Sequence, residues 1–158
     1  MPVEPHLRIV LDTNVVLRGL VSERSAAAKI FEAADARRFV TLLNKPVLDE
    51  YRAVLSDQEL VERFPALTAR RVQVALARLR FVGDYLRHGK ATFQFPRDRR
   101  DAKFIALAID GHATHLVSED SDLLSLASGR GDSARRLRQR MPRLRVLSAF
   151  EFAKGVLR

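Results

Sequence analysis

Residues 9–17 read IVLDTNVVL. Leu7, Ile9, Val10 and Leu11, broken only by Arg8, make a short aliphatic run that leads straight into an acid, Asp12. Thr13 and Asn14 follow, and then a second apolar run, Val15-Val16-Leu17. A brief aliphatic segment bounded by polar residues fits a strand covered on both faces, as in a parallel sheet. Leu7–Leu11 is therefore expected to be such a strand. In open sheets of this kind ligands bind beyond the carboxyl ends of the strands, and Asp12 stands at that end. Its carboxylate is either a rim group of a site or the polar start of the next element, as an Asx turn or helix cap.

The rest of the chain repeats the alternation. Ser22 is expected to cap a helix carrying Ala26-Ala27, Ile30-Phe31 and Ala34 at helical spacing. Phe39–Leu43 reads as a second strand, and Asn44-Lys45-Pro46 opens a helix with proline in its first turn. Asp57–Phe64 is a short helix, and Thr68 caps a longer one reaching about Leu86. Ala91–Phe95 is a weak strand or extended loop. Asp98 opens a helix to Ile109, stopped by Gly111, and Thr114–Val117 is a strand followed by a short helix, Asp122–Ala127. Residues 128–142 read as a polar loop or insertion, before a strand at Leu144–Leu147 and a helix at Ala149–Val156. Short aliphatic strands alternating with helices predict an α/β fold, a three-layer α/β/α sandwich around a central, mainly parallel sheet. No internal repeat or linker divides the chain, so residues 1–158 are expected to form one domain with a basic insertion near 128–143.

The composition narrows the function classes. The 158 residues are 47% hydrophobic and 30% charged, enough to bury a core. No apolar run approaches the ~20 residues of a membrane span. The start, MPVEPHLR, lacks the apolar centre of a signal peptide, and without cysteine there is neither a disulfide nor a cysteine zinc site. A cytoplasmic protein with no membrane contact is expected. Lysine and arginine together number 28 against 19 acids, for a net charge of +9. Only five of those bases are lysines, Lys29, Lys45, Lys90, Lys103 and Lys154. A GC-rich genome would account for part of the arginine excess, but a basic chain attracts polyanions, nucleic acid first among them.

Against that basic background four acidic positions stand out. At about 100° per residue, Val47, Leu48, Tyr51, Val54 and Leu55 form one helix face. Glu50 borders it, while Asp49 points to solvent. Glu50 is thus a site acid or the boundary partner of an arginine. Asp101 precedes Phe104, Ile105 and Ala108 and so lies on the inward face of its helix; the alternative is a cap, with Asp98 at the N-cap and Asp101 three residues on. After the later strand, THLVSEDSDLL brings Ser118, Glu119, Asp120, Ser121 and Asp122 to the rim, where one or two acids could simply cap a helix. Asp122, nearer that helix, has the readier capping role, and Asp120 has none. Carboxylates converging on one point repel each other. A hard divalent cation relieves that repulsion, and Mg²⁺ takes a few carboxylates, waters and phosphate oxygens. Together with a basic surface, this implies metal-assisted phosphodiester hydrolysis.

Four segments, taken in order, resemble the PIN-domain family: IVLDTNVVL, PVLDEYRAVL, DRRDAKFIALAID and THLVSEDSDLL. The resemblance covers roughly residues 7–126, and LRVLSAFEFA is similar to the family's closing strand and helix. It implies a nuclease with an acidic Mg²⁺ or Mn²⁺ site, acting as an endoribonuclease. It further implies the toxin of a bacterial toxin–antitoxin pair (VapC-like), with RNA as substrate, a small antitoxin as partner, and a homodimer. By the same resemblance Asp12, Glu50, Asp101 and Asp120 form the catalytic set and hold metal directly or through water, with Asp122 completing the set or serving a second ion. Thr13, Asn14 and Ser118 would orient those carboxylates. Two departures stand out: Glu119 occupies a position often held by a small residue, and the arginine-rich segment is long. His112 and His115 read as surface or turn residues.

Three rival readings share some of these features. A haloacid-dehalogenase phosphatase needs a second acid where Asn14 stands, and a phospho-receiver domain needs an acidic pair and lysine that are not evident. The remaining rival is a non-catalytic RNA-binding or regulatory module, against which the full set of acids argues.

Overall fold

The computed structural model describes residues 7–157; the opening MPVEPH, in which no signal segment is read, lies outside them. Arg8–Leu11 forms β1, and Ile9, Val10 and Leu11 are wholly buried. Asp12 turns the chain into α1 (Thr13–Val21), its carboxylate accepting the Thr13 N–H. The second apolar run of the opening segment is thus a helix of its own. Ser22 ends it, giving its N–H to Arg18 O, and the cap of α2 (Ala26–Asp35) is Ser25 instead. The hydroxyl of Ser25 accepts from Ala28 N–H at 3.1 Å.

Expectation and structure then run together through β2 (Val40–Leu43), α3 (Lys45–Leu55, capped by Asn44) and α4 (Gln58–Arg63). Thr68 caps α5 (Ala69–Val82), which stops short of Leu86. The cause is Gly83, where a Cβ would lie 2.6 Å from both Leu79 O and Thr41 O. Only glycine lets the helix end close against β2 before a two-residue strand, β3 (Asp84–Tyr85), which the sequence pattern did not reveal. Ala91–Phe95 forms no strand, and the chain continues through α6 (Ala102–Asp110), β4 (His115–Val117) and α7 (Ser121–Ser128). The last elements are α8 (Asp132–Arg140), β5 (Arg145–Leu147) and α9 (Ala149–Gly155).

Among the described residues the five strands make one all-parallel sheet in the order β3-β2-β1-β4-β5. Helices cover both faces, giving the expected α/β/α sandwich. With right-handed crossovers, the two connections leading from β1 to β3 lie on one face, and those returning through β4 to β5 lie on the other. The direction reverses between β1 and β4, so a crevice opens where their carboxyl ends diverge. On one face α2 packs against α5 and α9, whereas α6 lies against β1, β2 and β4. Helix α3 reaches across to α1 and α6 at the rim, and Tyr51, fully buried on it, donates its hydroxyl to Leu11 O at 2.5 Å.

The arginine-rich segment corrects the sequence reading most. Residues 132–140 are helical, with Ala134 and Leu137 buried in the core, because those two lie three apart on one face of an otherwise polar helix. Several of its arginines are engaged at home. Arg136 donates to Gln94 O at 2.8 Å and sits over the Phe93 ring, and Arg140 donates to Thr92 O at 2.7 Å. Helix α8 therefore pins the extended segment before α6. Leu137→Ala should cost about 2–5 kcal/mol in urea unfolding; a change under about 0.5 kcal/mol, usual for surface sites, would return the segment to a solvated loop.

Candidate active site

Strands β1, β2 and β5 each pass at once into the N-cap of a helix, at Asp12, Asn44 and Ser148, while β4 reaches its cap, Asp120, after two loop residues. Parallel strands bring all these caps to one rim. Asp12 is only 4% exposed. Its Oδ1 accepts the Thr13 N–H at 2.7 Å and its Oδ2 accepts the Ser118 hydroxyl at 2.5 Å. Ser118 is itself fully buried and accepts the Asp120 N–H at 2.9 Å. One hydroxyl thus joins the end of β1 to the turn into α7. Asn14 clamps the same turn by accepting the Glu119 N–H at 3.3 Å, and Glu119 accepts from Ala149 N–H at 2.8 Å. Glu119 therefore stitches the rim loop to the start of α9, a contact no small residue could make. Thr13 contributes its backbone N–H, and its hydroxyl is buried with no partner among the described residues.

Asp101 sits at the N-cap position of α6 but makes no capping bond. It is buried, and its Oδ2 has no hydrogen-bond partner among the described residues. Carboxylate oxygens of Asp98, Asp101 and Asp120 all lie within 4.8 Å of one another. Burial pushes the Asp101 carboxyl up to about 7, helped by the charges of Asp12, Asp120 and Asp98. Asp12 is raised as well, chiefly by burial, with its two hydrogen bonds opposing and Asp120 and Glu50 adding repulsion. Leaving a buried carboxylate oxygen without a partner costs ~1–3 kcal/mol or more. A cluster of hard oxygen donors with one member unsatisfied suits a divalent cation.

Four sequence assignments change. Asp120, not Asp122, caps α7, its Oδ1 accepting the Asp122 N–H at 2.7 Å. Asp122 faces Arg97, with 3.7 Å between Oδ1 and Nη1. Asp98 does not open the helix; it accepts the Arg100 N–H in the preceding turn and joins the acid cluster. The signal available for it was the spacing of DRRD, two acids three residues apart just before an inward-facing helix. Glu50 lies at the rim as expected, but its partner is Lys103 at 3.4 Å rather than an arginine. Asp49 is held by Lys45 in solvent. His115 is a core residue, edge-on to Phe152 and driven down to about 4 by burial, whereas His112 does lie exposed in a turn at φ 51°.

With this geometry in place, comparison with known families finds the PIN domain over residues 8–122. The chain belongs to the PIN-domain family. No curated protein matches it. PIN domains are generally metal-dependent nucleases, and the three-acid cluster of this PIN domain could hold a metal ion.

The raised acid predicts a pH dependence. Asp101 keeps its proton to about pH 7 in the fold, against 3.8 for the free group. Between those values the folded state binds more protons, so the metal-free protein should lose stability as pH rises through that window. Asp101→Asn should flatten this loss and melt higher than wild type at pH 8 in EDTA. Parallel melting temperatures of the two proteins from pH 5 to pH 8 would contradict it.

Proposed function

We propose that this PIN domain is a Mg²⁺- or Mn²⁺-dependent endoribonuclease. The observation that carries the reading is the convergence of Asp98, Asp101 and Asp120 beside Asp12, with a buried Asp101 oxygen left without a partner. Asp12, Asp101 and Asp120 would hold the cation, with Asp98 as a further oxygen donor and Glu50 at the margin, shared with Lys103. Asp122, facing Arg97, would add charge to the rim rather than an oxygen to the set. When bound, a divalent cation in such a site activates water and offsets the charge that builds on the phosphate.

The chain's own side chains do the positioning. Ser118 gives its proton to the hydrogen bond with Asp12 Oδ2, so Oδ1 and Oδ2 are both fixed in direction. Asn14 keeps the Ser118–Asp120 turn seated by its bond to the Glu119 N–H. Tyr51, whose hydroxyl is pushed up by burial and by the Asp12 charge, stays protonated and holds the Leu11 carbonyl just before Asp12. The basic chain, at +9, favours a polyanionic substrate.

The biological role that fits is the toxin of a toxin–antitoxin pair, with RNA as substrate, a small antitoxin as partner, a homodimeric state and a cytoplasmic location. What supports it is the resemblance of the four motifs to the PIN-domain family together with the family match. None of the described helices is long and apolar enough to cross a membrane. A small gene immediately upstream encoding a DNA-binding protein would support the pairing.

Purified protein should cleave single-stranded RNA in Mn²⁺ and not in EDTA. Asp101→Asn should lose at least about a hundredfold in rate, and Ser118→Ala about 10–100-fold, as for groups that orient metal-holding carboxylates. Mn²⁺ should also raise the melting temperature of wild type and not of Asp101→Asn. RNA binding without metal-dependent cleavage would leave a non-catalytic RNA-binding module as the better reading.

A further inference from the structure

A second concavity opens beside the acids, on the β3 side of the sheet. It has a volume of about 490 Å³, within the ~300–1,000 Å³ range of small-ligand sites. Four cations line it, Lys45, Arg80, Arg87 and Lys103, against a single acid, Asp110. That acid is turned to the loop over it, its Oδ1 accepting the backbone N–H groups of Lys90 and Ala91 at 3.1 and 2.9 Å. A Cβ at Gly89 would lie 2.2 Å from Asp110 Oδ2, so the loop closes tightly on the carboxylate. Lys45 and Lys103 are ion-paired with Asp49 and Glu50, so the groove's excess of positive charge rests on Arg80 and Arg87.

Two of its cations are differently placed from ordinary surface arginines. Arg80 holds its guanidinium 4.5 Å from the centre of the Tyr85 ring, making a flat cationic surface on the groove wall. Arg87 is exposed and makes no hydrogen bond or ion pair among the described residues. The groove also communicates with the acids. Lys103 lines it and places Nζ 3.4 Å from Glu50, whose charge in turn is felt by Asp12. Nucleic-acid bases stack on aromatic rings and on arginine guanidinium planes, and lysine and arginine take the phosphates between them.

The geometry points to this groove as a nucleotide subsite for single-stranded RNA next to the scissile phosphate, an inference that rests on the nuclease reading. Arg87 and Lys103 take a backbone phosphate, and the adjoining base stacks on the Arg80–Tyr85 pair. Lys103, which lines the groove and pairs with Glu50, joins the two regions. Duplex RNA cannot use the groove, because its bases are not free to stack there.

The test measures binding of a fluorescein-labelled oligouridylate by anisotropy across a salt series, in an Asp101→Asn background that removes cleavage. Arg87→Ala should flatten the dependence of log affinity on log salt by about 0.7, the value of one single-strand phosphate contact. Tyr85→Leu and Arg80→Ala should weaken binding about fivefold or more, with much smaller effect on an oligomer whose bases are removed. Arg70→Ala is the charge control, because Arg70 lies on the same helix as Arg80, ~15 Å along its axis at 1.5 Å per residue. Melting curves verify folding, and the exposed Arg87 gives a readout even if Tyr85→Leu is unstable. If wild type cleaves RNA while Arg87→Ala and Arg80→Ala bind like Arg70→Ala, the subsite is overturned and the nuclease reading stands. Selective loss of binding in these variants, with no cleavage by wild type, upholds the groove and overturns the nuclease reading. Neither binding nor cleavage by wild type overturns both.

Discussion

A buried carboxylate at the end of a central strand needs its charge answered locally, and the hydrogen bond from Ser118 to Asp12 is the principal answer here. It forms because β1 and β4 are neighbours in a parallel sheet, so their chains leave the rim side by side. The Asp12 N–H extends that ladder by bonding to Val117 O at 2.9 Å, and the Ser118 N–H does the same to Leu147 O at 3.0 Å. The two residues are thereby fixed by backbone before their side chains meet. From there the order propagates outward: Ser118 sets the Asp120 N–H, Asp120 sets the first turn of α7, and Asn14 and Glu119 close the loop over α1 and α9.

The same arrangement has a cost that the rest of the fold must absorb. Asp12 and Asp101 are both pushed toward their neutral forms, chiefly by burial; Asp12, Asp120 and Asp98 add repulsion at Asp101, and Asp120 and Glu50 add it at Asp12. A site of this kind stores repulsion until a cation arrives. What opposes it is a core of aliphatic and aromatic side chains running on from β1 through α3 and α6 to α9, with Tyr51 stacked on Phe104 directly beneath the acids. Lys103 relieves only the outermost acid, Glu50. Asp101, buried with an unmet bond, has no ion-pair partner among the described residues, and so it is where an exogenous ion would gain most.

How much of this was legible in the sequence follows from the range of the interactions involved. The strands at Ile9–Leu11 and Leu42–Leu43 and the caps Asn44 and Thr68 were readable because burial on both faces and capping leave local marks. Asp12 and Asp120 could be placed at one rim because a parallel sheet sends every strand's carboxyl end there, while Glu50 and Asp101 were marked by the apolar helix faces they border. Short-range signals failed where a long-range contact decides. Gly83 ends α5 because Thr41 O is in the way, and β3 exists only through pairing with β2. Helix α8 carries just Ala134 and Leu137 inward, too sparse a stripe to outweigh its arginines as a pattern, yet enough to seat it once the 92–95 segment is there to accept its hydrogen bonds. The cap expected at Asp122 falls to Asp120, which both caps α7 and joins the acid cluster, because two acids two residues apart leave sequence with no basis for choosing the cap.

The basic excess also resolves into separate populations once contacts are known. Arg136, Arg138 and Arg140 spend their donors on backbone carbonyls, and Arg135 on Asp132, so the arginine-rich helix is largely a structural clasp. The cations that border the acids come instead from scattered positions: Lys103 on α6, Arg97 before it, and Arg80 and Arg87 on either side of β3. Such a distribution bears on how a polyanion could approach. A cluster of uncompensated carboxylates repels phosphate, and flanking cations attract it, so the two tendencies cancel near the site until the acids are neutralised. Metal and RNA would then favour each other's binding, since each removes the charge that the other must overcome. The coupling needs no conformational change; it follows from placing acids at the centre of the rim and bases at its edges.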